Sequence, residues 1–527
     1  MSNLKMLRVA SIHIILLAWA LNNVSAFASL SAGRSVARQT RSTLPSYHRG
    51  IIPKHKTSSL VRMALTFPRG GGGGIVANAA SSPQSLFNFT LLSLAITTVL
   101  VKVLQKATAP TIAEQDRVNK PASIRALQTK FLPVFWLLRC ADWLQGPYFY
   151  EVYASKVFNG VQASMSLVSR LFLTGFASTA VFGPSVGRAA DQYGRKKATI
   201  AFSLIYAAGA LSTKSPFLVV LFLGRVLSGI GTSLLFSAPE SWLVGEAQKS
   251  GDDPDGKYLG ETFGLAYAGD SIVAILAGQM AGMAALRRGS TGPFELSTAI
   301  LIMGGLLTSV LWKENAASRT DKSESNTIRD AVQVVKKDPK IMLVGIVQSL
   351  FEAAMYIFVL QWPPAMAKAI ALAYGQAAVP YGAIFSCFMA CCLLGSTLFG
   401  QFAKMGVTTE SFTLGMLSIA TIAMSSATWI TSSGASAALT GLMAAFFAFE
   451  ACVGMYFPSI GTLRSKYVPD SHRSVIMNLF GIPLNVLVVS VFLSIQKLGV
   501  TGALSISSGA LGLATLAMFQ LNRTIRK

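Results

Sequence analysis

Charged residues are scarce in this chain of 527 residues, of which only 13% are Asp, Glu, Lys or Arg; an average soluble domain has about 25%. Hydrophobic residues make up 52%. So few charges cannot cover a surface that faces water on all sides, and so much apolar surface exceeds what a soluble core buries. The composition excludes a disordered chain, a fibrous protein and an ordinary soluble enzyme. It indicates a protein that uses lipid as its solvent.

Cysteine and histidine are also rare, with five and four residues in the whole chain. The cysteines lie in apolar runs, at Cys140, Cys387, Cys391, Cys392 and Cys452. Their spacing does not match a zinc site, so we expect thiols that pack as small hydrophobic groups. The sequence contains no cofactor fingerprint and no nucleophile–base pair. We therefore predict no metal, no cofactor and no enzymatic activity.

Acidic residues are missing from the first 113 positions, although the whole chain has a net charge of +23. Residues 1–120 contain 14 basic and two acidic residues, so about half of the excess positive charge lies there. Polar segments show no basic stripe interleaved with aromatic residues, and nucleic-acid binding is not expected. The remaining positive charge is typical of the cytoplasmic loops of a membrane protein.

The amino-terminal leader has two parts. Residues 1–26 have the order of a signal peptide, with two basic residues, an apolar run and small residues before a cleavage site. Residues 27–82 are rich in Ser and Arg and lack acidic residues, as in a transit peptide. Together, with a Phe at the junction, they resemble the bipartite presequences of algae with secondary plastids. This resemblance implies the plastid envelope; an ordinary secretory leader would instead indicate the plasma membrane or endomembranes.

Apolar runs long enough to cross a bilayer follow the leader, first one and then twelve. We predict an all-α polytopic membrane protein with 12 core helices in a 6+6 arrangement and one extra amino-terminal span. The predicted divisions are an extra helix and linker at 83–130, a six-helix half at 131–313, a charged loop at 314–340 and a second six-helix half at 341–527. Two halves with a charged middle loop are typical of transporters built from structural repeats.

The segment GRAADQYGRKK at 187–197 joins the second and third core spans. It resembles the G-x-x-x-D-x-x-G-R-K signature of the major facilitator superfamily. We interpret it as a conformational-switch loop, formed by Gly187, Asp191, Gly194, Arg195 and Lys196. The glycines permit a tight turn, Asp191 is expected at a helix amino terminus, and Arg195 is expected to pair with a neighbouring helix end.

Ionisable residues inside membrane spans are candidates for function because they are costly to bury in lipid. Arg225, Ser228 and Thr232 share one helix face. A guanidinium beside hydroxyl groups suits an oxyanion substrate. The same arginine equally suits a structural or proton-coupling partner of Asp142 or Glu240.

A second polar stripe lies on the first span of the second half. Gln348, Glu352 and Tyr356 recur at intervals of four residues, which predicts the lining of a cavity. We assign Gln348 and Tyr356 to substrate binding and Glu352 to proton coupling. Glu450 and Glu240 are two further candidates for proton coupling, and for Glu450 a role in holding the bundle together is an equal alternative.

Two segments combine glycine, proline and polar residues within apolar runs. The first contains Asp142, Gln145 and Tyr148 around a Gly-Pro pair. The second, Gly481-Ile-Pro483, lies between Asn478 and Asn485, of which we assign Asn478 to substrate binding. Broken helices in corresponding places of two halves mark binding sites in transporters, so these four polar residues are substrate-binding candidates. A packing kink is the alternative for each segment.

Four segments together resemble the molybdate-anion transporter family, a branch of the major facilitator superfamily. They are DWLQGPY at 142–148, FSAPESW at 236–242, QSLFE at 348–352 and EACVGMYFPS at 450–459. The resemblance covers about 85–521, including the extra leading span. It implies import of molybdate, a tetrahedral dianion. The two-half architecture predicts alternating access around a midplane site in the lipid bilayer. Because import of a dianion toward a negative interior is uphill, we also expect a coupling cation, a proton above all.

One position departs from the family pattern, which has an arginine two residues before the proline of the eleventh span. That position is Gly481 here. A cavity without this positive group could accept another solute, such as sulfate, a sugar or a drug-like molecule. A transporter-shaped scaffold or sensor without flux is the remaining alternative.

Overall fold

The computed structural model describes residues 81–107, 120–250, 257–316, 328–434, 438–469 and 473–526. The predicted signal peptide at 1–26 and nearly all of the leader at 27–82 lie outside these residues. The described chain is almost entirely helical, and ten of its helical stretches are long and apolar enough to cross a membrane. The prediction of an all-α multi-pass membrane protein is confirmed, whereas the count of twelve plus one spans stays a prediction.

The described residues of the first part of the chain form nine α-helices and one short hairpin. They are α1 (Pro83–Ala107), α2 (Ala122–Gln145), α3 (Phe149–Ala154), β1 (Val157–Phe158), β2 (Val161–Gln162), α4 (Met165–Tyr193), α5 (Arg195–Ser212), α6 (Leu218–Leu235), α7 (Ala238–Ser250), α8 (Lys257–Arg288) and α9 (Gly292–Leu311). The two strands pair antiparallel, with Val157 opposite Gln162. Helix α2 begins inside the stretch assigned to the linker.

The described residues of the second part form seven α-helices. They are α10 (Ile328–Lys337), α11 (Pro339–Tyr374), α12 (Tyr381–Lys404), α13 (Thr409–Ser433), α14 (Ala438–Tyr467), α15 (Arg473–Leu493) and α16 (Ile495–Arg526). Helix α16 contains a kink at Gly499, which has a φ of 61°. Helix α10 is short and lies between the two halves in sequence.

The two predicted helix breaks have different outcomes. Gly146–Tyr148 forms a 3-10 turn between α2 and α3, because Pro147 has no N–H to continue the helical ladder. The second predicted break does not occur, since α15 continues through Pro483. Proline is tolerated in membrane helices when neighbouring groups satisfy the freed carbonyls.

The two halves have the same internal packing. In the amino-terminal half the contacting pairs are α2–α8, α2–α9, α4–α6, α5–α6 and α5–α9. In the carboxy-terminal half the corresponding pairs recur as α11–α15, α11–α16, α12–α14, α13–α14 and α13–α16. This repetition is the arrangement expected of a transporter built from two similar halves.

The halves contact each other through α8 with α12 and through α4 with α15. Gly278 and Gly382 bring α8 and α12 to backbone contact, and the Ser386 hydroxyl donates to the Ile275 carbonyl at 2.8 Å. Phe172 and Phe492 join α4 to α15, with ring centroids 5.2 Å apart. All these contacts lie on the side of the bundle opposite Gly194. Helix α1 packs against α12.

Candidate functional site

A cavity of about 340 Å³ lies between the two halves and is walled by α4, α6, α11 and α15. Its polar lining comes from both halves: Thr179, Arg225, Thr232, Glu352, Tyr356 and Asn485. Aromatic and small residues complete the wall. A cavity of this kind, with a few converging polar groups and charges of both signs, is the default candidate for a binding site.

Arg225 enters the cavity from α6. Its Nε donates to the Leu171 carbonyl at 3.3 Å, and its guanidinium also contacts the Tyr153 hydroxyl and lies 4.5 Å from the centre of the Phe149 ring. The guanidinium passes over Gly175 of α4, where any β-carbon would collide with it. Among the described residues, no carboxylate lies within ion-pairing distance of Arg225. A guanidinium has five N–H donors, so the site has a fixed positive charge with donors to spare.

Two hydroxyls were predicted to share the face of Arg225, and the structure separates them. Thr232 lines the cavity and donates to the Ser228 carbonyl at 2.9 Å. Ser228 is buried against Gly209 of α5 and donates to the Gly224 carbonyl at 2.9 Å. Of this pair, the cavity wall therefore includes Thr232 and not Ser228.

The opposite wall comes from α11. Glu352 accepts a hydrogen bond from the Tyr456 hydroxyl at 2.9 Å and also contacts the Gln348 amide. Gln348 is buried behind the cavity. Tyr356 crosses the interface between halves, with its ring centroid 5.1 Å from that of Phe176. The predicted stripe of α11 thus brings Glu352 and Tyr356 to the cavity, with Gln348 behind them.

The candidates around the first break lie outside the cavity wall. Asp142 accepts from the Tyr206 hydroxyl at 2.6 Å. The Gln145 amide donates to Ser297 at 2.9 Å inside the amino-terminal half. Tyr148 is buried on the side opposite the switch loop, where its ring meets Tyr381 at 5.7 Å.

The remaining candidates are dispersed. Asn478 is exposed on α15, whereas Asn485, two turns further, lines the cavity. Glu450 is buried between α12 and α14 beside Cys391. Glu240 on α7 accepts a hydrogen bond from the Tyr267 hydroxyl. Of the three candidates for proton coupling, Glu352 is the one that lines this cavity.

The switch loop corrects one detail of the sequence interpretation. Asp191 lies in the last turn of α4 rather than at a helix amino terminus, because the helix ends only at Gly194, whose φ is 115°. Its carboxylate pairs with Arg195 Nε at 3.0 Å. The amino terminus of α5 is instead capped by Glu314, which accepts from the backbone N–H of Lys196 at 2.9 Å and of Lys197 at 3.1 Å.

The same loop is anchored to the end of α9 at two further points. The Arg195 backbone N–H donates to the Asn315 carbonyl at 2.9 Å. The Lys196 ammonium donates to the Ser309 carbonyl at 2.7 Å. Gly187 lies in open space within α4. The loop thus joins α4, α5 and α9 of the amino-terminal half.

Sequence reasoning missed two buried ionisable residues of the amino-terminal half, Arg139 and Asp270. Arg139 donates to both oxygens of Asp270, with distances of 2.9 and 3.1 Å. The Trp143 indole donates to the same carboxylate at 2.8 Å. Each residue is a charged position inside a long apolar run. This interruption is the sequence signal by which it could have been found.

Solved structures share this fold at low sequence identity. A mutant form of the nucleoside transporter NupG superposes with a TM-score of 0.60 at 14% identity, covering 75% of this chain and 99% of that one. A peptide transporter POT in complex with sulfate gives 0.58 at 15% identity, covering 76% and 94%. A bacterial homologue of the iron transporter ferroportin in an inward-facing state gives 0.56 at 13% identity, covering 75% and 98%. The chain therefore shares its overall fold with these three multi-pass membrane proteins.

Comparison with related sequences identifies the family. A family model for sugar transporters with 12 transmembrane helices matches residues 94–455. The molybdate-anion transporter of Xenopus tropicalis is 31% identical over 376 residues, which cover 71% of this chain and 79% of the relative. That of Takifugu rubripes is 28% identical over 458 residues, covering 80% and 90%. The chain belongs to the molybdate-anion transporter family of the major facilitator superfamily. Its relatives and neighbours are transporters, not enzymes.

Proposed function

We propose that this protein is a secondary active transporter that moves molybdate across a membrane. The observation that carries the proposal is the guanidinium of Arg225, which has no carboxylate partner among the described residues and lines a cavity between the halves. A buried arginine fork donates two parallel hydrogen bonds to a tetrahedral oxyanion. The names of the relatives from Xenopus tropicalis and Takifugu rubripes support the same substrate.

The cavity offers further donors for such an anion. The Asn485 amide lies on the wall formed by α15 and can replace a water of the anion's hydration shell. The Thr232 hydroxyl lies on α6 with Arg225 and can do so if it turns away from the Ser228 carbonyl. The cavity volume of about 340 Å³ leaves room for the anion together with ordered water.

Transport would proceed by alternating access. The halves are joined on the side opposite the switch loop, through Ser386 with Ile275 and Phe172 with Phe492. Rocking of one half against the other would break these contacts and open the cavity to that side. The Asp191–Arg195 pair is on the other side and would act as the switch between states.

Moving a dianion toward a negative interior is uphill by about 2.3 kcal/mol per charge for each 100 mV. Coupling to a cation is therefore expected, and we assign the proton. Glu352 is placed to carry it because its carboxylate lies on the cavity wall opposite Arg225. Glu240 and Glu450 lie farther from the anion and would act more weakly.

A different anion is the second candidate, and Gly481 favours it. This position is open: a β-carbon added there would have only the Asn485 amide nearby, at 3.9 Å. The cavity lacks the positive charge that an arginine at this position would add. Sulfate has the same shape and charge as molybdate and is the first competitor to test.

We place the protein in a plastid envelope on the resemblance of residues 1–82 to a bipartite presequence. The plasma membrane and endomembranes are the alternatives.

Uptake of labelled molybdate into liposomes containing the purified protein tests the proposal. Saturable uptake is expected in the wild type and should be abolished in Arg225→Ala. Arg170→Ala is the matched control, because Arg170 is an exposed arginine of the neighbouring helix α4 and should leave uptake unchanged. Absence of uptake by well-folded wild-type protein, with sulfate as well as molybdate, would refute anion transport.

A further inference from the structure

We propose that Asp142 is a proton-binding site of the amino-terminal half, coupled to the anion cavity through Tyr206. The inference rests on the proposed anion transport and adds a site to it. It begins from the pairing of Arg139, whose side chain is only 8% exposed. Arg139 Nε and Nη2 both donate to Asp270, whose side chain is 9% exposed.

Asp270 has its hydrogen bonds satisfied. Besides the arginine, it accepts from the Trp143 indole at 2.8 Å. Charge-assisted hydrogen bonds of this kind are short and directional, so they hold both side chains in one orientation. Asp270 therefore holds the arginine in place.

The third nitrogen of Arg139 has no such partner. Its Nη1 is buried and makes no hydrogen bond within the described structure. The nearest carboxylate oxygen is Asp142 Oδ2, at 3.6 Å. Arginine stays protonated in proteins, so this buried donor is always available to Asp142 but is not bonded to it in this state.

The three charges do not balance. One arginine and two carboxylates leave a net charge of −1 in a largely buried cluster, and uptake of one proton removes it. Asp142 is the acceptor, because it has one donor, the Tyr206 hydroxyl at 2.6 Å, and its side chain is 21% exposed.

Other charged groups lie near this cluster. Arg225 of α6 interacts electrostatically with Tyr206 and donates to the Leu171 carbonyl at 3.3 Å. On α8, Tyr267 donates to Glu240 of α7. On α9, Glu295 pairs with Lys214 and Arg288 near the opposite surface. They leave Asp142 as the carboxylate of this cluster that can exchange a proton.

Tyr206 connects this site to the cavity. Its hydroxyl donates to Asp142 and lies within hydrogen-bonding reach of Thr232, which lines the cavity. The ring fits against α6 because Gly231 has no side chain there. An anion at Thr232 would repel an ionised Asp142 through this short path. Protonation of Asp142 therefore favours anion binding, and anion binding favours protonation by the same factor.

The test measures proton uptake and molybdate affinity on the purified full-length protein in detergent. In the wild type, binding of molybdate should take up protons, and affinity should fall as the pH rises. In Asp142→Asn the number of protons taken up per anion should fall below the wild-type value, and the pH dependence of the affinity should weaken to the part that Glu352 contributes. We expect the affinity difference between low and high pH to be roughly tenfold in the wild type.

Tyr206→Phe provides a second variant if Asp142→Asn is poorly folded. It keeps the ring and removes the connecting hydroxyl, so the pH dependence of affinity should weaken. Tyr374→Phe is the matched control, because the Tyr374 hydroxyl is buried without a hydrogen-bond partner in the described structure. Molybdate affinity in Tyr374→Phe should depend on pH as it does in the wild type. Wild-type proton uptake in a folded Asp142→Asn, or wild-type pH dependence in Tyr206→Phe, would overturn the inference.

Infrared spectroscopy separates this inference from the anion function, because it needs no substrate. Acidification of the wild type should produce a carboxylic acid C=O band that is missing in Asp142→Asn. A protein that binds no oxyanion yet shows this band would refute the proposed substrate and keep the proton site. An identical band in both proteins would refute the proton site alone.

Discussion

The guanidinium of Arg225 lies over Gly175 on the adjacent helix, in the space that a β-carbon at position 175 would occupy. Gly175→Ala should therefore push the arginine aside without disturbing the helix backbone. We expect expression and thermal stability near those of the wild type. Molybdate affinity should fall roughly tenfold, as for a weakened hydrogen bond to a charged group. Concentration-dependent uptake measures this change.

Gly415→Ala is the control for that substitution, because it is a helical glycine of α13 with open space around it. Its uptake should match the wild type. Unchanged affinity in Gly175→Ala would mean that the anion does not bind at Arg225.

Gly481→Arg should add a positive group to the cavity. The position is open and lies one turn before Asn485, which lines the cavity, so the long side chain fits. We expect molybdate to bind roughly tenfold more tightly, since a charge-assisted hydrogen bond is gained. Gly481→Gln has a similar length without charge and serves as the comparison. Equal affinities for the two variants would show that the charge at this position does not reach the anion.

Glu314→Gln should destabilise the start of helix α5. The carboxylate accepts from two backbone N–H groups there and interacts favourably with the helix dipole. The free energy of unfolding should fall by about 0.5–2 kcal/mol, the usual effect of losing a cap. Thermal denaturation in detergent checks this. Asp191→Asn, which removes the pair with Arg195 instead, should change the transport rate more than the melting temperature.

Gly382→Val should keep the halves apart on the side opposite the switch loop. The glycine meets the backbone of α8 at Gly278, so two methyl groups cannot fit between the helices. Uptake should be lost while expression remains. A cysteine introduced at Phe492 should then react faster with a membrane-impermeant thiol reagent. Gly509→Val, at an open position of α16, should retain wild-type uptake. If Gly509→Val also loses uptake, the loss in Gly382→Val cannot be attributed to the contact between the halves.

Residues 1–82 should direct a fused fluorescent protein to the plastid of an alga with secondary plastids. Replacement of Phe27 by Ala should shift the fluorescence to the endomembrane system, because the resemblance assigns the plastid signal to that residue. Plasma-membrane fluorescence of the unaltered fusion would support the alternative location.

The sequence was sufficient to predict the helical membrane fold and the approximate positions of Arg225, Thr232, Glu352 and Tyr356. The length of an apolar run predicts a membrane span, and the spacing of its polar residues predicts which of them share one face of the helix. They do not report which part of that face meets a neighbouring helix. Ser228 therefore turned out to face α5, and Asn485 rather than Asn478 lines the cavity.

Long-range pairing was the other part that the sequence could not supply. Arg139 and Asp270 are separated by 131 positions, and nothing in their local spacing indicates that they meet. Glu314 likewise replaced Asp191 as the cap of α5 through a contact across 118 positions. Such contacts follow from the packing of α2 on α8 and of α5 on α9.

Helix α1 precedes the amino-terminal half in sequence but packs against α12 of the other half. Lys120, in contrast, is fixed to the amino-terminal half by its ion pair with Glu261 at 2.7 Å. The chain between Ala107 and Lys120 therefore runs from one half to the other, and a rocking motion changes the distance between these two residues. Twelve residues reach at most about 40 Å when fully extended. The number of residues between Ala107 and Lys120 sets an upper limit on the distance between these two points. Deleting residues from this segment should therefore slow the transport cycle.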